Sequence, residues 1–242
     1  VFTRAQVNSF ENLNADIAKG DKMSQKILAI SGRKRAGKTT CINFLHGYEL
    51  QRNQVIEKFL LDDRGQLSVN ATFMDEKGEE IQQMGVLDLN NREPRFVQYC
   101  SMNVWPFVKA YNFADSLKSI AINFFGLKYE QCYGSEKQKN TPSPIKDFTA
   151  REFLQYFGTD VCRSLKEDVW VDFCISQIQS EHSALALVGD CRFPDEVEAI
   201  QEAGGKVIRL TRAPHEDSHV SEIALDTYEG FDAVIDNQDM TI

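Results

Sequence analysis

The sequence predicts an α/β fold of three layers, with a mostly parallel central sheet of about five strands covered by helices on both faces. Short, nearly all-apolar runs occur at 26–31, 184–190 and 206–210. Such runs are typical of parallel strands, which are shielded from water on both faces. They alternate with helical patterns, as right-handed β-α-β units do.

The first third of the predicted domain contains an insertion. After the strand at 26–31, a glycine-bearing loop leads into a helix predicted at 39–48. From about 49 to 103 the chain instead shows short apolar runs separated by the turn sequences Asp62-Asp63-Arg64-Gly65 and Asp75-Glu76-Lys77-Gly78. These signals are typical of antiparallel hairpins. We therefore predict a small β-containing insertion at about 49–103.

Alternating strands and helices resume after the insertion. A strand is predicted at 108–114 and a helix at 115–125, followed by a mobile, lid-like loop at about 134–147, where Lys, Ser, Pro and Asn are frequent. Thr149, with Glu152 three residues later, forms the capping-box pattern of a helix at 149–165. The remaining elements are predicted as helices at 172–180 and 196–203 and strands at 184–190, 206–210 and 233–235.

The N-terminal residues 1–22 are predicted to be an extension outside this domain, which then spans 23–242. Apolar side chains recur there at helical spacing, at Val7, Phe10, Leu13 and Ile17. The spacing predicts an amphipathic helix, to which we assign no function.

Composition excludes several classes of protein. The formal net charge of −9 repels nucleic-acid backbones, so we expect no nucleic-acid partner, although a local basic cluster can still bind a small anion. We find neither a run of ~20 apolar residues nor a signal pattern, so we expect a cytoplasmic protein without a membrane partner. The six cysteines form no CxxC pair, which favours reduced thiols over a disulfide or zinc framework.

The most specific signal is a phosphate-binding loop that matches the pattern G-x-x-x-x-G-K-[ST], Gly32-Arg33-Lys34-Arg35-Ala36-Gly37-Lys38-Thr39. It lies between a buried strand and a helix, the context that the pattern requires. Its amides, the Lys38 ammonium and the Thr39 hydroxyl are suited to bind ATP with Mg²⁺. The predicted donor-binding residues are Gly32, Arg35, Ala36, Gly37, Lys38, Thr39 and Thr40.

Other residues leave alternatives open. The cations Arg33, Lys34 and Arg35 either form a solvated turn or face a second phosphate-bearing ligand. Asp190 ends a buried strand, at the sheet edge where α/β folds bind ligands, so we predict a Mg²⁺ ligand there, with a helix cap or a solvent-exposed strand end as the alternative. The guanine-reading pattern N-K-x-D is absent from the sequence, which argues against a GTPase.

Several segments resemble, in their order, the deoxynucleoside monophosphate kinases of bacteriophages, a branch of the P-loop nucleotide kinases. Together they extend from about residue 23 to the C-terminus. Beside the loop at 34–38, they are Phe113-Ala114-Asp115-Ser116-Leu117-Lys118, residues 151–160 (REFLQYFGTD), Asp168-Val169-Trp170, residues 190–196 (DCRFPDE) and His219-Val220-Ser221-Glu222.

The resemblance implies a P-loop fold, transfer of the γ-phosphoryl group of ATP to a deoxynucleoside monophosphate, and a homodimer. It implies that acceptor binding uses Lys34, Leu117, Lys118, Arg151, Gly158, Thr159, Trp170 and Glu196. Arg151 and Lys118 suit a phosphate dianion, which favours guanidinium and ammonium donors. Charge stabilisation in the reaction is assigned to Lys38, Arg151, Arg192 and Asp190, with Arg163 a further candidate for the arginine finger.

Two rival functions stay open at the level of sequence. One is a P-loop kinase for another small acceptor, because the basic loop indicates a phosphorylated acceptor without identifying its base. The other is a nucleotide-binding switch or assembly protein that hydrolyses ATP slowly and signals through the insertion.

Overall fold

The computed structural model describes residues 25–74, 80–214 and 223–241. In chain order the strands are β1 (Lys26–Ser31), β2 (Phe59–Leu61), β3 (Leu67–Met74), β4 (Glu80–Val86), β5 (Val108–Tyr111), β6 (Leu185–Cys191), β7 (Lys206–Leu210) and β8 (Ala233–Ile235). The α-helices are α1 (Lys38–Arg52), α2 (Pro94–Asn103), α3 (Ala114–Phe125), α4 (Tyr129–Tyr133), α5 (Glu136–Lys139), α6 (Ala150–Gln155), α7 (Val169–Glu181) and α8 (Pro194–Glu202). A π-helix, Tyr156–Arg163, follows α6.

The central sheet has five parallel strands in the order β5-β6-β1-β7-β8, as the strand pattern predicted. Side chains alternate between its two faces. On one face, Ile27 and Ala29 pack in a core with α3, α7 and α8. On the other, Ile30 packs with α1, α2 and the small sheet. The carboxyl ends of β1, β6 and β7 therefore share one edge, where the phosphate-binding loop begins.

The insertion forms a separate antiparallel sheet, β2-β3-β4, that packs on α1. Two close approaches fix this packing. A Cβ at Gly47 would lie 2.3 Å from the Phe59 ring, and a Cβ at Gly65 would lie 2.2 Å from Thr40 Oγ1. Gly65 also has φ 75°, which glycine adopts without strain. The β2–β3 turn thus lies against the first turn of α1, next to the phosphate-binding loop.

Most of the predicted helices and strands are present in the structure, and they differ from the prediction only in where they begin or end. The strand predicted at 108–114 ends at Tyr111, and Ala114 already begins α3; β7 and β8 agree with the prediction. The first helix is longer than predicted, because residues to Arg52 continue α1 rather than belong to the insertion.

The helix predicted at 149–165 is only partly an α-helix. Its capping box is confirmed, because the Glu152 amide donates to Thr149 Oγ1 (3.2 Å) and the Thr149 amide to Glu152 Oε2 (2.8 Å). From Tyr156 the chain widens into the π-helix, where Gly158 lies against α3 and its carbonyl accepts a hydrogen bond from Trp170 Nε1 (3.0 Å). Hydrophobic spacing does not distinguish a π-turn from an α-turn, and π-turns are frequent at functional sites.

Part of the predicted loop at 134–147 is helical. α5 is capped by Ser135, and Pro142 pairs with Thr149 in an isolated bridge. The extension at 1–22, the turn at 75–78 and the segment 219–222 lie outside the described residues. Across the described ranges, we find no helix long and apolar enough to span a membrane.

Candidate active site

The loop between β1 and α1 is tightly folded. The Ala36 amide donates to the Arg33 carbonyl (3.0 Å), and Gly37, with φ 99°, is the N-cap of α1. At Gly32 a Cβ would lie 3.0 Å from Ala36 Cβ and 3.2 Å from the Leu210 carbonyl oxygen. Both glycines of the pattern are thus needed, one for close packing and one for a left-handed backbone conformation.

Lys38 and Thr39 begin the helix that follows this loop. Lys38 Nζ donates to the carbonyls of Gly32 (2.5 Å) and Arg33 (2.9 Å), so the ammonium lies over the loop. Thr39 is exposed in the first turn of α1, a 15-residue helix. A helix N-terminus with an ammonium beside it is a favourable environment for phosphate oxygens.

The loop is held from behind by the chain after β8. The buried side chain of Asn237 donates from Nδ2 to the Ala36 carbonyl (2.7 Å), and its Oδ1 accepts from the Arg212 amide (2.9 Å). Arg212 Nε in turn donates to the Asn237 carbonyl (3.0 Å). Neither Asn237 nor Arg212 is among the site residues predicted from the sequence.

Arg33 is held at the other side of the loop by Asp226. The carboxylate of Asp226 accepts from Arg33 Nε (3.2 Å) and from Arg209 Nη2 (3.0 Å). Arg209 Nη1 also donates to Ser31 Oγ (3.1 Å) at the end of β1. Two of the three loop cations thus contact protein carboxylates, Arg33 at Asp226 and Lys34 at Glu136.

Lys34 contacts a second group of charged side chains, which includes Glu136 and Arg151. The same oxygen, Glu136 Oε2, accepts from Lys34 Nζ (3.2 Å) and from Arg151 Nη2 (2.8 Å). Lys118 is nearby, with Nζ 3.7 Å from Asp115 Oδ1 and 4.5 Å from the centre of the Tyr133 ring. The three acceptor cations predicted from the sequence come from three distant segments, and all three lie close enough to Lys139 to lower its pKa.

Three uncharged residues predicted for the acceptor also lie together. A Cβ at Gly158 would lie 2.6 Å from Leu117 Cδ2, and the Gly158 carbonyl accepts from the indole of Trp170. Leu117 and Trp170 are both buried in the core under α3 and α7. The indole of Trp170 thus positions the π-helix. Thr159, which follows Gly158, lines an open cavity of about 800 Å³ together with Asp160 and Arg163.

Asp190 joins β6 to the start of α3. Its two oxygens accept from the amides of Phe113 (2.8 Å) and Ala114 (3.2 Å). Burial raises the pKa of Asp190, although the Lys118 charge and the two amides lower it. The carboxylate therefore has a structural role, and a contact with Mg²⁺ stays a prediction.

Glu196 is buried and hydrogen-bonded to Arg163. Its Oε1 accepts from Arg163 Nη2 (2.8 Å), and its Oε2 accepts from the Arg192 amide (2.6 Å) and the Phe193 amide. Burial and the negative charge of Asp190 raise the pKa of Glu196 to about 8. The hydrogen bond from the Arg192 amide and the positive charge of Arg163 lower it, but they are outweighed. Arg163 is thus tied to α8, and Arg192 is partly exposed at the carboxyl end of β6.

A comparison with protein families identifies the class to which this arrangement belongs. The sequence model of the deoxynucleotide monophosphate kinases matches residues 26–241. The chain belongs to this kinase family. A curated protein of Acanthamoeba polyphaga mimivirus, called a putative deoxynucleotide monophosphate kinase, is 32% identical over 142 residues, which cover 52% of this chain and 73% of the relative.

The predicted site residues fall into groups around the sheet edge of the kinase. The loop residues form one group, and the cations of the predicted acceptor site form another. Glu196, on α8, instead pairs with Arg163 at the end of the π-helix. Glu136 was not among the predicted site residues, and its segment was predicted as a loop, although the S-x-x-Q pattern from Ser135 to Gln138 is typical of the start of a helix.

Proposed function

We propose that the kinase transfers the γ-phosphoryl group of ATP to a deoxynucleoside monophosphate, giving ADP and the deoxynucleoside diphosphate. The observation that carries this proposal is the arrangement of two cation-rich regions around one loop. Lys38 lies over the phosphate-binding loop, and Lys34, from the same loop, reaches Glu136 beside Arg151. Family membership supports the acceptor class.

Donor binding is assigned to the residues predicted from the sequence. The amides of residues 32–40 and the Lys38 ammonium would bind the donor phosphates. Thr39, an exposed residue in the first turn of α1, has a hydroxyl that fits a ligand of Mg²⁺, and Asp190 is a further candidate. When bound, Mg²⁺ would neutralise charge on the donor phosphates.

Acceptor binding is assigned to the second region. Arg151, Lys118 and Lys34 would bind the acceptor phosphate and turn it towards the donor. An acceptor phosphate is already ionised at neutral pH, so no strong general base is required. Catalysis then depends on in-line positioning and on cations that stabilise the transferred group, for which Lys38, Arg151 and Arg192 are the candidates.

The test is ADP formation from Mg-ATP with each of dAMP, dGMP, dCMP, dTMP and 5-substituted dCMP, with ribonucleotides and no acceptor as controls. We expect particular deoxynucleotides to raise the rate at least about tenfold. Lys38→Ala should lower it by about 100-fold or more, the effect of removing one charge-stabilising donor. Lys58→Ala, at an exposed lysine of the insertion, is the matched control.

A flat, slow rate across this panel would refute the proposal and favour another acceptor or a nucleotide-dependent switch. Full transferase activity in Lys38→Ala would refute the role of the loop. Sedimentation analysis of the purified chain would test the proposed homodimer.

A further inference from the structure

One carboxylate, that of Glu136, lies among the cations of the proposed acceptor site. Its Oε2 accepts from both Lys34 (3.2 Å) and Arg151 (2.8 Å). The pKa of Glu136 is lowered: partial burial acts in the opposite direction, but the contacts with Lys34 and Arg151 outweigh it. Glu136 therefore stays ionised at neutral pH and makes the contacts that a phosphate oxygen would make.

The positive charge around Glu136 extends beyond Lys34 and Arg151. Lys139 is partly buried, and its pKa is lowered by that burial and by the charges of Lys118, Arg151 and Lys34, while Glu136 opposes the shift. Lys118, Arg151 and Lys34 thus lie close enough to Lys139 to repel it. A second or larger negative charge would stabilise them further.

Arg151 also has donor capacity that Glu136 does not use. Its Nε is buried and finds no hydrogen-bond partner within the described ranges 25–74, 80–214 and 223–241. Guanidinium binds phosphate through two parallel N–H groups, whereas Glu136 accepts from Nη2 of this residue. The fork of Arg151 therefore fits a phosphate better than the single bond that it forms with Glu136.

The helix that carries Glu136 has little burial to hold it in place. α5 has four residues, all described by the structure, and none of them is buried. Segments with few buried contacts open at low cost in free energy.

We propose that Glu136 is a specificity residue that occupies the position of the acceptor phosphate in the free enzyme and is displaced by a dianionic phosphate. The inference rests on the proposed function, since it concerns the same acceptor site. A nucleoside without a phosphate cannot displace the carboxylate, and a monoanionic phosphate competes less well than a dianion. Glu136 thereby makes binding depend on the charge of the acceptor.

The test compares Glu136→Gln, which keeps the shape and removes the charge, with Glu136→Asp, which keeps the charge. Glu130→Gln, at an exposed carboxylate on α4, controls for the loss of one negative charge nearby. Calorimetry would measure the Kd of inorganic phosphate and of the preferred deoxynucleoside monophosphate. Steady-state kinetics would give kcat and the KM of each substrate from pH 5.5 to 7.5.

For Glu136→Gln we expect both ligands to bind about five-fold more tightly, the effect of removing one partly exposed ion-pair competitor. The acceptor KM should fall more than the KM for ATP. The fall of kcat/KM below pH ~6, where the acceptor phosphate becomes a monoanion, should be smaller than in the wild type. Glu136→Asp and Glu130→Gln should resemble the wild type.

Weaker acceptor binding in Glu136→Gln would overturn the inference, because it would make Glu136 a structural bridge that holds Lys34 and Arg151 in place. Unchanged binding would overturn it as well. Both results can occur while the wild type still phosphorylates deoxynucleoside monophosphates, so they refute only this inference. Failure of the proposed function would instead show as a wild type that no monophosphate stimulates.

Discussion

Asn237 offers a sharp test of how the phosphate-binding loop is held. In Asn237→Ala, the Ala36 carbonyl loses the donor at 2.7 Å and the Arg212 amide loses the acceptor at 2.9 Å. Asn237 is 8% exposed, so water reaches these groups poorly. We assign Asn237 no contact with the nucleotide. The substitution therefore tests the support of the loop without removing a bond to the ligand.

The expected cost follows from the two groups that are left unpaired. A buried polar group without a partner costs about 1–3 kcal/mol, so the free energy of unfolding should fall by about 2–4 kcal/mol when some water enters. In a chain of this size that lowers Tm by roughly 5 to 15 °C. The affinity for ATP should fall about tenfold, because the released loop must be ordered again on binding.

Two further variants make the assay specific. Asn237→Asp keeps the shape but turns a carboxylate oxygen towards the Ala36 carbonyl, so it should lose more affinity at pH 8 than at pH 5, where a protonated acid can donate. Gln238→Ala, at the exposed neighbouring residue, should resemble the wild type. Urea denaturation and titration with a fluorescent ATP analogue would measure both effects. Wild-type stability and ATP affinity in Asn237→Ala would refute the reasoning.

Three other substitutions test separate parts of the structure. Burial lowers the pKa of His46 to about 4 from 6.5, so stability should fall as the pH drops from 6.5 towards 4, by up to about 1.4 kcal/mol per pH unit. Urea denaturation of His46→Leu should lack this slope; an equal slope would contradict the assignment. Gly65→Ala should destabilise by about 1–3 kcal/mol, because a Cβ would lie 2.2 Å from Thr40 Oγ1 at φ 75°; an unchanged Tm would contradict this. Gly158→Ala, whose Cβ would lie 2.6 Å from Leu117 Cδ2, should raise the acceptor KM more than the KM for ATP; equal changes would mean that the effect is general.

The sequence predicted the sheet and the loop because both depend on local patterns. Buried parallel strands are continuous apolar runs, and the bounds of β7 and β8 could be identified to the residue. The glycines of the loop were predictable because the backbone conformation at each position requires glycine. Gly37, for example, has φ 99°. The small sheet was predictable from its turns.

The parts that the sequence did not predict depend on distant partners. Asn237 contacts Ala36 across 201 positions, and Glu136 meets Lys34 across 102. Nothing in the residues around either side chain indicates such a partner. The π-helix, likewise, depends on tertiary contacts of Gly158 with α3 and α7 rather than on its own hydrophobic spacing.

The contact between Gly65 and Thr40 has a consequence for how the family diverges. Because the inserted turn meets the first turn of α1 with no room for a methyl group at position 65, that position cannot gain volume unless Thr40 gives way. In related enzymes that keep this insertion, a larger residue at one position should accompany a smaller one at the other. Substitutions in the insertion and in α1 should therefore be correlated at these two positions. The two residues are 25 positions apart in the sequence but are in contact in the structure.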